Sequence, residues 1–150
     1  MSQAKLYLDD LHLGQRFVSQ AVEISADQIK AFARAFDPQA FHLDDEAAQG
    51  TLFKGLAASG WHTSALTMRL NVESLPLAGG IVGMGVEVEW NAPVRPGDAL
   101  HVESEVVEVA PLAAGARRGV AVIASRTVIQ KGETVQTNKA RLLVARRPAG

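Results

Sequence analysis

"WHTSALTMRLNV", residues 61–72, is the stretch on which the fold turns. Trp61, Ala65, Met68 and Val72 recur at helical spacing as one stripe, and Leu66 and Leu70 widen it. A helix apolar over so broad a surface needs cover on more than one side, so this one is expected to be largely buried. The cover comes from the second half of the chain. In "IVGMGVEVEW", 81–90, Val82, Met84, Val86, Val88 and Trp90 share one face, with Glu87 and Glu89 on the other. "ALHVESEVVEV", 99–109, sets Leu100, Val102 and Val106 against His101, Glu103 and Glu105 in the same way. The runs 119–130 and 133–145 are rich in Val, Ile and Thr and read as a hairpin about Lys131-Gly132. "RFVSQAVEI", 16–24, reads as a first strand. Runs of hairpin strands with a helix on one face predict an α+β architecture. A curved antiparallel sheet of about five strands wrapped around helix 61–72 meets the helix's need for cover. The edges of such an open sheet predict association of copies, a homodimer or higher homo-oligomer.

The rest of the first half is helix and polar loop. In "SADQIKAFARAFD" Ser25 is placed to cap a helix, with Gln28 at capping-box spacing. Ile29, Phe32, Ala33 and Phe36 then follow on one face, and Pro38 bars continuation. With 150 residues, the chain suits one domain, 1–150, with a real core. A net charge of −1, with both signs scattered, offers no basic stripe for nucleic acid. The absence of cysteine removes thiolate catalysis and zinc–thiolate sites and fits a reducing compartment. "MSQAKLYLDDLHLGQRF" lacks the pattern of a secretory leader, and no apolar run is long enough to span a bilayer. The expectation is a soluble, cytoplasmic protein.

Chemistry concentrates in two places. "AFDPQAFHLDD", 35–45, sets Asp37 five positions before His42, with Phe41 and Leu43 as apolar anchors around the imidazole. The pair reads as two proton-transfer groups sharing a water or substrate, as a metal site completed by Asp44, or as a helix-ending turn with a surface histidine. No second histidine stands at ligand spacing, which weakens the metal reading. Residue types alone leave the turn the plainest of the three. The second place is "LAASGWHTSAL", 56–66. Small residues through Ser59 and Gly60 lead into the central helix, whose N-terminal N–H groups could hold a carbonyl oxygen as charge develops on it. Equally, Ser59 could be a cap and Gly60 a packing glycine, and His62 a packing residue or a participant. Arg95, beside the "PGD" turn 96–98, could meet an anion; so could Arg117-Arg118 and Arg146-Arg147, although solvated arginine is the commoner outcome. Gly83 and Gly85 suggest close approach by a helix, a subunit or a ligand.

Taken together, "FARAFDPQAFHLDDEAA", "GLAASGWHTSALTMRL" and "VEVEWNAPVRPGDAL" resemble the MaoC-like dehydratases, the (R)-specific enoyl-CoA hydratase group, from about residue 10 to 145. The resemblance implies a single hot-dog domain and reversible hydration of a 2-enoyl-CoA to a 3-hydroxyacyl-CoA. It implies catalytic roles for Asp37 and His42, which position and deprotonate water and protonate the α carbon, and for Gly60, whose N–H holds the thioester oxygen. Gln39, Phe41, Ser59, Trp61 and His62 are the expected substrate-binding residues. No metal is implied, and no cofactor beyond the CoA of the substrate. A homodimer is implied, with the acyl-CoA in a tunnel near the interface. Departures are Gln39-Ala40, where the family often has Asn-Pro, Ser59 where it often has His, and the bulky Trp61. Two alternatives from the same fold are an acyl-CoA thioesterase and a non-catalytic acyl-CoA or acyl-carrier binding subunit.

Overall fold

In the computed structural model, which describes residues 4–149, one antiparallel sheet carries the chain. Strands β1 (Arg16–Val18), β2 (Val22–Glu23), β3 (Val82–Trp90), β4 (Ala99–Pro111), β5 (Arg118–Ile129) and β6 (Thr134–Ala145) run in the order β1-β4-β5-β6-β3, with β2 also on β4. The α+β expectation holds. The count is six rather than five because the run 16–24 divides: the Ser19 hydroxyl accepts from Val102 N–H and its own N–H donates to Val102 O, interrupting the strand between β1 and β2. The β5–β6 hairpin turns at Lys131-Gly132, where Gly132 takes φ 86°. Residues 1–3 and 150 of the expected domain lie outside the described residues.

Helix α1 (Ala26–Phe36) starts with the expected capping box, Gln28 N–H on Ser25 Oγ and Ser25 N–H on the Gln28 side chain. Ile29 and Ala33 are buried, but Phe36, in the last turn beside Phe32, is 73% exposed. Short helices α2 (Ala40–Leu43) and α3 (Asp45–Gln49) occupy the stretch expected to be loop. Among the described residues no helix is long and apolar enough to cross a membrane.

The central helix α4 (Gly60–Ser74) lies across β4, β5 and β6, as expected, but not on the expected face. Trp61, Met68 and Val72 are 45–61% exposed, and the buried positions are His62, Thr63, Thr67 and Leu70. The sheet explains the correction. Its inner face carries the row Val102–Thr127–Gln136 and next to it Ser104–Ser125–Asn138. The helix answers with polar partners: Ser64 Oγ donates to Gln136 Oε1, Thr67 and Thr127 share a bond of 2.6 Å, and Ser104 Oγ donates to Asn71 Oδ1. A matched polar strip can be buried because its hydroxyl and amide groups are paired across the seam. Apolar packing lies to either side of this strip. One cluster holds Leu8, Leu75, Val106, Ile123 and Val144; the other holds Ile24, Ile29, Leu100, Ile129 and Val135.

Candidate active site

Asp37 ends α1, its N–H donating to Ala33 O, and Pro38 forces the chain out of the helix. Gln39 then begins α2, which carries His42 back beneath Asp37. The imidazole is buried, and its Nε2 stands 3.3 Å from Asp37 Oδ2. Its other nitrogen, Nδ1, lies 2.6 Å from Ala57 O. A carbonyl only accepts, so Nδ1 carries a proton and Nε2 is the nitrogen turned to the carboxylate. Nε2 and the carboxylate face each other across 3.3 Å. They are satisfied by one proton held between them or by a water that donates to both. Phe41 and Phe53 pack around the ring at 4.5 and 5.8 Å and prevent it from turning away.

Burial alone would raise the Asp37 carboxyl above its ordinary value and is the largest single influence on it. Opposing it are hydrogen bonds from Gln39 and Ser59 and the charge of His42, and together they hold the carboxyl below that value. Gln39 Nε2 donates to Asp37 Oδ1 at 2.5 Å. Its extra methylene, relative to the expected asparagine, therefore reaches the carboxylate. The result is an anion kept charged within an enclosed site.

The segment 56–60 forms the facing wall. Ala57 N–H donates to Phe41 O, and Ala58 N–H to Val94 O. Arg95 fixes the preceding loop: its guanidinium donates to the carbonyls of Phe53, Gly55 and Leu56. That residue is committed to backbone rather than open to an anion. Ser59 caps α4 through Trp61 N–H, and Gly60 is the first helical residue. Among the described residues Gly60 N–H has no partner, and it sits at the positive end of a 15-residue helix. A Cβ on Gly60 would fall 2.7 Å from the Trp90 indole, so glycine is also demanded by packing.

His42 and Gly60 line one cavity of about 320 Å³, with Phe53, Thr63, Trp90 and Asn91. The structure thus brings Asp37, Gln39, Phe41, His42, Ser59 and Gly60 together. Trp61 points outward, edge-on to Trp90, and His62 stacks on Phe32 at 4.6 Å between α1 and α4. Neither lines that cavity. Asp44, the third residue of the metal reading, instead caps α3 through Ala47 N–H. Arg146 and Arg147 pair with Asp9 and Asp10. Gly85 makes room for the Arg141 guanidinium. Thr63, at the start of α4, was expected within reach of this cavity and lines it, whereas sequence reasoning missed Phe53, Trp90 and Asn91. Only the "EWNAPV" run, a strand end broken by proline, hinted that 90–94 closes over something.

Sequence and fold both have known relatives. The MaoC like domain family matches residues 11–131. A MaoC-like dehydratase from Rhodospirillum rubrum superposes with TM-score 0.93 and 53% identity, covering 96% of this chain and 99% of that one. The (R)-hydratase PhaJ1 from Pseudomonas aeruginosa superposes with TM-score 0.79 and 28% identity over 95% and 88% of the two chains. A 3-hydroxybutyryl-CoA dehydratase from Methylorubrum extorquens is 30% identical over 131 residues, 87% of this chain and 82% of that protein. The hot-dog architecture implied by the sequence motifs is therefore the observed one.

Proposed function

The chain belongs to the MaoC-like domain family, and from that premise we propose that it catalyses reversible addition of water to a 2-enoyl-CoA, yielding a 3-hydroxyacyl-CoA. The observation that carries the proposal is the Asp37–His42 pair, 3.3 Å apart, with Nδ1 of the histidine committed to a carbonyl and Nε2 left as the base. Water held by both groups gives its oxygen to the β carbon. The proton removed is returned to the α carbon, so the addition balances without cofactor or metal. Negative charge that grows on the thioester oxygen in between is met by Gly60 N–H and the α4 dipole. Gln39, Phe41 and Ser59 hold the acid and base in place. The names of the relatives, a 3-hydroxybutyryl-CoA dehydratase and an (R)-hydratase, support the substrate class.

A homodimer completes this reading. Val82, Met84 and Val86 on the edge strand β3, with Met68 and Val72 on α4, expose apolar surface beside unpaired strand backbone. A second copy is the occupant that buries both at once.

The test follows the enoyl chromophore of crotonyl-CoA together with free thiol. Wild type should consume the chromophore and release no CoA; thiol release would identify a thioesterase. Asp37→Asn and His42→Gln should each lose about 100-fold or more in kcat/KM, the lower range for a positioned acid or base, while circular dichroism stays native. Native-like hydration by both variants would overturn the assignment.

A further inference from the structure

Trp90 lines the cavity of the candidate site, and a second space lies close by. The cavity of His42 and Gly60 measures about 320 Å³; the second space is an apolar groove of about 520 Å³ between α4 and β3, on the face assigned above to the second copy, which would roof it. Adjacent positions divide between them. Gly60 and Thr63 face the cavity, whereas Ser64 and Thr67, the next residues on the helix's inner side, face the groove. On β3, Trp90 lines the cavity and Val88 the groove. No residue lines both spaces, and at the edge of the cavity the Trp90 indole is seated so tightly on Gly60 that no Cβ fits beneath it.

The indole is held from behind. Gln136 is its cross-strand partner in register and is fully buried. Gln136 Oε1 accepts from Trp90 Nε1 at 3.0 Å and from Ser64 Oγ at 2.7 Å, and Nε2 donates toward Thr67 Oγ1 at 3.4 Å. Swinging the ring aside would break the indole N–H bond and leave the fully buried Gln136 Oε1 with Ser64 as its one remaining donor. We propose that Trp90, locked by Gln136, closes the reaction cavity against the groove and restricts the acyl portion of the thioester to short chains. Trp90 is the specificity-determining residue and Gln136 its positioning residue. The inference rests on the thioester reading of the site.

The experiment compares kcat/KM for crotonyl-CoA and 2-octenoyl-CoA, and calorimetric binding of the saturated butyryl-CoA and octanoyl-CoA, in wild type, Trp90→Ala, Trp90→Phe and Gln136→Met. A methylene without room in an apolar pocket is worth about tenfold or more, so wild type should favour the short chain by at least about that factor. Trp90→Ala should move the octenoyl-to-crotonyl ratio upward by about tenfold and tighten octanoyl-CoA without tightening butyryl-CoA. Gln136→Met frees the ring without deleting it and should move the ratio the same way, and Trp90→Phe should move it least. These two also decide the matter if Trp90→Ala does not fold. A merely structural role would lower both rates together and leave the ratio unchanged, which overturns the proposal. Equal hydration of both chains by wild type overturns it too, and leaves the hydratase reading standing. Selective binding of butyryl-CoA with no hydration does the reverse.

Discussion

At the scale of single residues, two histidines of the same chain are put to opposite uses. His42 is buried with both nitrogens directed, one to Ala57 O and one to Asp37. His62 is buried with Nδ1 unpartnered, and desolvation pushes its ring below the ordinary imidazole value. The consequence for stability has a definite sign. A depressed folded value means that the unfolded chain binds the proton more readily, so stability falls as pH drops through the unfolded value, about 6.5, toward the folded one. Above that window both states are neutral and nothing is lost. Wild type should therefore lose melting temperature between pH 7 and pH 5, and His62→Phe, which keeps the stack on Phe32 without a titrating group, should lose less. Parallel curves from thermal melts across that range would rule this out. The residue types of the acid/base pair were legible in the sequence. Which nitrogen of His42 is free was not, because Ala57 is fifteen positions away and the bond depends on how segment 56–60 returns to α2.

At the scale of elements, α4 shows how a periodicity argument can choose the right element and the wrong face. Apolar residues mark a stripe at 61, 65, 68 and 72, yet the sheet is met by Ser64, Thr67 and Asn71. Hydrophobic periodicity has no way to register a polar face whose partners lie on β4, β5 and β6, sixty or more positions distant for Thr67 and Ser64. This seam makes an asymmetric prediction. Thr67→Val leaves the Thr127 hydroxyl buried without its partner and should cost about 1–3 kcal/mol. Adding Thr127→Val removes the orphan and should recover part of that loss. Denaturant unfolding of the single and double variants measures both, and additive losses would show that the hydroxyl pair is not coupled.

At the scale of the whole molecule, the sheet ends in an unprotected edge. β1 and β2 share the β4 side, but among the described residues β3 has a neighbour only in β6, and its exposed apolar residues adjoin the exposed stripe of α4. The stripe that sequence reading assigned to the core is thus exposed, and it is the surface on which the proposed second copy would sit. Val86 is 58% exposed at the middle of that edge. Val86→Lys sets a charge there at little cost to the isolated chain and should convert a dimer to monomers in sedimentation velocity. A wild type that sediments as a monomer at micromolar concentration would remove the dimer from the proposal.

By itself the sequence determined the alternating strands, the Ser25–Gln28 cap, the stop at Pro38 and the chemical identity of Asp37, His42 and Gly60. These depend on local periodicity, backbone restriction and side-chain chemistry, all of which act within a few residues. Only the tertiary structure decided the buried face of α4, the commitment of Arg95 to three backbone carbonyls and the seat of Trp90 on Gly60. Each is a match between groups thirty or more positions apart, set by the register of strands. Register is a property of the assembled sheet, not of any one segment of it.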